Sequence, residues 1–75
     1  MDEEEIRALL AAGLGEACDI EIAIEGNHLI LKLVGNVFTG LNRLKRQQLV
    51  NKILEAKIGS GEIHAVRMSC LGPDE

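Results

Sequence analysis

The strongest pattern in the chain is the strict alternation Asp19-Ile20-Glu21-Ile22-Ala23-Ile24-Glu25. Side chains on a strand point to opposite faces in turn, so Ile20, Ile22 and Ile24 share a buried face while Glu21 and Glu25 meet water. Gly26-Asn27 follows, a pair suited to a two-residue hairpin turn. The alternation then resumes from His28 to Val34. Leu29, Leu31 and Leu33 take one face, and His28, Ile30, Lys32 and Val34 the other.

Ahead of this hairpin the period changes to that of a helix. Ile6, Leu9, Leu10, Gly13 and Leu14 fall at i, i+3, i+4, i+7 and i+8, one apolar stripe. Asp2 and Glu5 have the spacing of a capping box, and the early acids suit the positive end of the helix dipole. Gly15 is the expected stop. After the hairpin, residues 35–40 form a connector whose one large apolar residue is Phe38. Asn42 then caps a second helix that runs to Ala56 or Ile58. Its expected buried stripe is Leu44, Val50, Ile53, Leu54 and Ile58, with Arg43, Lys45, Arg46, Gln47 and Gln48 mostly outside it. Gly59-Ser60-Gly61 ends this helix. It could cradle an anion, but glycine as a helix stop explains it better. A last strand is expected from Ile63 to about Leu71, with His64, Val66, Met68 and Cys70 on one parity and Ile63, Ala65 and Arg67 on the other.

The order α-β-β-α-β defines the architecture. The hairpin strands pair antiparallel, and the third strand returns through a helix, which suits parallel pairing by a right-handed crossover. The expected fold is α+β: a three-stranded mixed sheet with helices packed on one face. Residues 1–75 read as a single domain, with no internal repeat and no linker. A chain of this size has little room for an enclosed active site, so a surface that recruits a partner is the natural expectation.

Composition narrows the function further. Phe38 is the sole aromatic residue, and 27% of residues are charged. No apolar run reaches the ~20 residues that cross a bilayer. The acidic start Met1-Asp2-Glu3-Glu4-Glu5 is unlike a basic targeting leader, and a cytoplasmic protein, with nuclear residence left open, is the expectation. The net charge of −4 is unevenly spread: residues 1–25 carry eight acids and one base, residues 42–57 five bases and one acid. Such a basic helix is most simply a solvated face; it can also attract phosphate or an acidic partner.

Chemistry-bearing residues are few. Cys18 and Cys70 are too few for a disulfide framework and read as small buried hydrophobes. Phosphate loops, Walker patterns and the Gly-x-Ser-x-Gly elbow are absent, and no nucleophile–base set suggests an enzyme. His28 and His64 each open a strand beside a turn. A strand-end histidine is usually exposed or structural, but imidazole also ligates iron, zinc or copper. Two histidines alone make an incomplete site that a partner would have to finish.

Phe38-Thr39-Gly40, the run Arg43-Leu44-Lys45-Arg46-Gln47-Gln48-Leu49-Val50-Asn51 and Gly61-Glu62-Ile63-His64-Ala65 resemble, in order and spacing, the BolA-like family. Gly26-Asn27-His28-Leu29 is similar to a shortened form of the family's histidine-bearing hairpin, and Pro73-Asp74-Glu75 to the start of its acidic tail. The resemblance implies a KH-like α-β-β-α-β fold. It implies an adaptor in iron–sulfur cluster assembly or iron regulation. It also implies a monothiol glutaredoxin with glutathione as partner and a 2Fe–2S cluster shared with it rather than held alone. His64 matches the family's last-strand ligand and His28 the hairpin ligand, a place that some members fill with cysteine. Leu49-Val50-Asn51 and Ser69-Cys70 look most like the eukaryotic cytosolic branch. Gly72 stands where the family usually has Thr. Arg43, Lys45 and Arg46 become candidates for glutathione or partner contact, and a weak homodimer is left open. The competing reading is a nucleic-acid-binding KH-type module. It is disfavoured by the missing Gly-x-x-Gly clamp, the lack of stacking aromatics and the negative charge.

Overall fold

The computed structural model describes all of residues 1–75. Along the chain run α1 (Glu3–Leu14), β1 (Asp19–Glu25), β2 (His28–Val34), a 3₁₀ turn (Asn36–Phe38), α2 (Arg43–Ile53), α3 (Glu55–Gly59) and β3 (Ala65–Leu71). The sheet order is β1-β2-β3. β1 and β2 are antiparallel, with Glu25 opposite His28; β2 and β3 are parallel, with His28 opposite Ala65. The expected α+β architecture is therefore present.

The hairpin closes on Gly26, whose φ of 64° lies in the left-handed region, while Asn27 keeps a negative φ. A glycine at the first central position matches a type II′ turn, whose twist fits the flanking strands. Leu29, Leu31 and Leu33 of the central strand are all buried, packed with Ile6, Leu10 and Leu14 of α1 and with Val50 and Leu54 of the α2–α3 segment. The helices thus cover one face. The other face, bearing Glu21, Lys32 and Arg67, stays open to solvent. Phe38 is fully buried, delivered into the core by the 3₁₀ turn.

Some expectations need correction. Asp2 does cap α1, its carboxylate accepting from the Glu4 N–H at 2.9 Å. Glu5, however, does not reach back to complete a capping box; it pairs with Lys57. The long second helix is broken at Leu54 (φ −97°, ψ 6°), which separates α2 from α3. Leu44 is 62% exposed rather than buried. Six residues before Val50 is about 120° around the helix, off the inward stripe. Arg46 and Gln47 are the residues that turn toward β3, and Arg46 is part-buried there. Ile58 is also exposed, because the break at Leu54 re-aims the turn that carries it. β3 begins at Ala65, and Ile63 is buried just before it, in the turn, where its N–H donates to the Lys57 carbonyl at 3.1 Å.

Candidate functional site

Parallel pairing makes the site. β2 and β3 start at the same end of the sheet, so the residue that opens one strand lies beside the residue that opens the other. The His64 N–H donates to the Asn27 carbonyl at 2.9 Å, which continues the β2–β3 pairing one step beyond β3. His28 and His64 are brought to a ring-centroid separation of 6.3 Å with planes 16° apart. Both are exposed. The short hairpin does not hold them apart.

A metal lies about 2.0–2.1 Å from an imidazole nitrogen, so two rings on one ion have centroids about 5–6.5 Å apart. The observed spacing falls in that range. Nowhere do three or more His, Cys, Asp or Glu side chains gather into a metal-binding group. The histidine pair is thus a donor set of two.

The thiols are remote from it. Cys70 lies six residues along β3 from His64, about 20 Å for extended chain. Cys18 is buried just before β1, at that same far end, since Asp19 pairs with Val34. Burial, and then the charge of Asp19, pushes the Cys18 thiol above its usual range; burial is also the main cause for Cys70. Both therefore stay protonated at neutral pH, and both are free of disulfides.

The candidate cations are likewise not at the histidines. α2 runs alongside β3 so that Arg43, Arg46 and Gln47 flank Met68 to Leu71, and Asn51 and Lys52 flank His64. Arg43 and Lys45 are exposed and form no ion pair. Arg46 is fully engaged: Nε donates to the Leu41 carbonyl, Nη1 to the Cys70 carbonyl, and Nη1 and Nη2 to the Glu75 carboxylate. The cation that does neighbour His64 is Lys52, across an open concavity of about 610 Å³ also lined by Asn51, Glu55 and Ile63. Arg67 lines the adjoining hollow with His28 and Glu25. The sequence counted these bases but had no register with which to place them. What holds the His64 turn is Lys57, which pairs with Glu62 at 2.8 Å and with Glu5 of α1.

The model of BolA-like proteins matches residues 15–75. The chain belongs to the BolA-like family. Among its relatives, the acid stress protein IbaG of Escherichia coli is 32% identical over 75 residues, covering all of this chain and 88% of IbaG. A BolA-like protein of Dictyostelium discoideum is 31% identical over 83 residues, 97% of this chain and 72% of that protein. The solved structure of BolA1 from Arabidopsis thaliana superposes with a TM-score of 0.83 at 28% identity, covering 96% of this chain and 92% of that one. Bacterial and eukaryotic relatives stand at like distances. The eukaryotic-branch features of this BolA-like chain therefore do not resolve its branch.

Proposed function

We propose that this BolA-like protein is a non-enzymatic adaptor that offers His64, with His28 beside it, to a 2Fe–2S cluster completed by a monothiol glutaredoxin and glutathione. The observation that carries this reading is the convergence of two exposed imidazoles at one end of the sheet, with both thiols at the other. Four ligand positions are needed for such a cluster, and this donor set supplies at most two. A partner must bring the rest, which accounts for the exposure of the pair. A bound cluster supplies one-electron chemistry and a transferable iron–sulfur unit, and imidazole in place of thiolate raises its potential. The chain's own part is to hold two imidazoles at a fixed separation: the Asn27–His64 backbone bond fixes the rungs they stand on. Lys52 and Arg67 stand beside the pair, each sharing its hollow with an acid, Glu55 and Glu25 respectively, and would meet the carboxylates of glutathione. Arg43 and Lys45 lie farther along α2 and would meet the partner's rim.

The test is an absorption and circular dichroism titration of this protein into cluster-loaded monothiol glutaredoxin with glutathione. A new spectrum is expected, lost in His64→Ala and altered in His28→Ala. An unchanged spectrum together with no complex on size exclusion would reject the proposal and bring nucleic-acid binding forward.

A further inference from the structure

The two edges of the sheet are not equivalent. β1 forms one edge, and it is guarded. Arg7 Nη1 donates to the Ile20 carbonyl at 2.8 Å, and Asp19, Glu21 and Glu25 stud the strand with negative charge. Acids on an edge discourage strand addition. β3 forms the opposite edge and lacks this protection over most of its length.

Two hydrogen bonds define how β3 faces. The Gly35 N–H donates to the Leu71 carbonyl, so Leu71 points its backbone toward β2. Backbone groups alternate sides along a strand, which turns Cys70, Met68 and Val66 outward within β3; the alternation ends before His64, whose N–H turns back to the Asn27 carbonyl. Arg46 agrees: from outside the sheet it donates to the Cys70 carbonyl at 2.9 Å. That contact caps the edge at its far end. It leaves the N–H of Cys70 and both backbone groups of Met68 and Val66 facing outward.

Beside this open ladder runs a groove. Its floor is the half-buried Val66, Met68 and Cys70; its helix wall is Arg43, Gln47 and Asn51 of α2. Three adjoining hollows, of about 580, 310 and 610 Å³, extend it from Leu41 at one end to His64 at the other. Arg43, Lys52 and Arg67 line it, and none is in an ion pair; the one acid is Glu55, at the His64 end.

We infer that the β3 edge is a docking site for an extended acidic peptide segment of a partner protein, which adds as a fourth strand in the groove between β3 and α2. Main-chain pairing to Val66, Met68 and Cys70 supplies affinity that is independent of side chains. Acidic side chains on one face of the added strand meet Arg43 and Lys52 on the helix side, and an acid on its other face meets Arg67 on the open side. A single nucleic-acid strand offers the same charge but cannot complete a backbone ladder, and the groove holds no aromatic ring for a base to stack on. A second copy of this chain would bring a like-charged rim to the seam. The pairing to Val66, Met68 and Cys70 does not use the imidazoles; Lys52 and Arg67 are shared with the cluster reading, so binding is tested without cluster, glutaredoxin or glutathione, where it stands or falls separately.

The experiment is a ¹⁵N-amide NMR titration of the full chain, near neutral pH and at low salt. The probe is a six-residue peptide, blocked at both ends, made of valine with aspartate or glutamate and carrying acids on both faces of the extended chain. Shifts are expected at Val66, Met68 and Cys70 and along α2 from Arg43 to Lys52, with β1 unmoved. Met68→Pro removes one outward N–H and should abolish the shifts; proline is tolerated on an edge where no sheet bond is lost. Arg43→Glu with Arg67→Glu leaves the edge intact and should weaken binding about tenfold. No shifts with millimolar peptide would overturn the inference. So would equal binding of a valine–lysine peptide, tighter binding of a short deoxythymidine strand in the same groove, or dimerisation through β3 in the absence of peptide.

Discussion

Phe38 is the largest fully buried side chain, and the 3₁₀ turn that carries it is fastened by three local backbone bonds, Phe38–Gly35, Thr39–Asn36 and Leu41–Phe38, at 3.2, 3.0 and 3.1 Å. Its anchoring comes from burial rather than from the turn. Phe38→Ala should therefore cost about 3–5 kcal/mol. That is a large part of what a chain of this size has to spare, at roughly 0.05–0.15 kcal/mol per residue. Urea denaturation should show a midpoint near zero denaturant. Leu44→Lys makes the opposite test. With Leu44 exposed, the change should fall within about 0.5 kcal/mol; a loss several times larger would mean that the α2 stripe includes Leu44 after all. Cys18 adds a kinetic check. As a buried, protonated thiol it should alkylate only as fast as the core opens, while Cys70, half-exposed, reacts first. Mass spectrometry of a timed iodoacetamide reaction would read the order directly.

At the scale of elements, strands were more legible than helices. The isoleucine alternation of β1 and the leucine alternation of β2 have a period of two, and one slipped residue would invert every side chain, so the pattern leaves a single reading. The α2 stripe was harder, because Leu44 fits the composition of a buried face but not its angle. The break at Leu54 leaves no mark in the sequence, since neither glycine nor proline stands there. Ile53 explains Gly13. A Cβ built at Gly13 would lie 2.6 Å from Ile53 Cδ1, so α1 and α2 cross at a glycine. Gly13→Ala gains helix propensity of about 1 kcal/mol but must push Ile53 aside, an overpacking cost of about 1–3 kcal/mol. A net loss of stability is expected, and the cost of Gly13→Ala should shrink in an Ile53→Ala background, which removes both Cδ1 and Cγ1, each 2.6 Å from that Cβ. The histidine site was half legible. Each imidazole could be placed at a strand start, but their meeting depends on the parallel register of β2 and β3, which only the folded chain supplies. The remoteness of Arg43, Lys45 and Arg46 from the histidines depends on the same register.

For the molecule as a whole, two clamps tie distant segments together, and both titrate. Lys57 joins Glu5 of α1 to Glu62 beside the His64 turn, and Arg46 joins β3 and α2 to Glu75. The hydrogen bond from Lys57 holds the Glu62 carboxyl below its usual range, and the bonds from Arg46 do the same for Glu75. A carboxylate whose folded value is lowered stabilises the fold fully above its ordinary value, near 4.5, and loses that contribution as pH falls through the lowered one. On the alkaline side, hydrogen bonds to Glu5 and Glu62 raise Lys57, whose contribution lasts until pH passes above the ordinary lysine range. Thermal unfolding followed by circular dichroism should therefore show little pH dependence from these pairs between about 5 and 10, and a decline below about 4.5. Lys57→Met and Arg46→Met should each flatten part of the acid decline, and added salt should weaken it, because the carboxylates are partly exposed. The two variants should differ in a second readout. Loss of Lys57 releases the turn that carries His64, so amide exchange at Ile63 and His64 should quicken. Loss of Arg46 frees the Cys70 carbonyl and leaves the histidine end unchanged. Equal effects of both variants at His64 would mean that the sheet end is held by the core alone and that the Lys57 clamp does not position the imidazole.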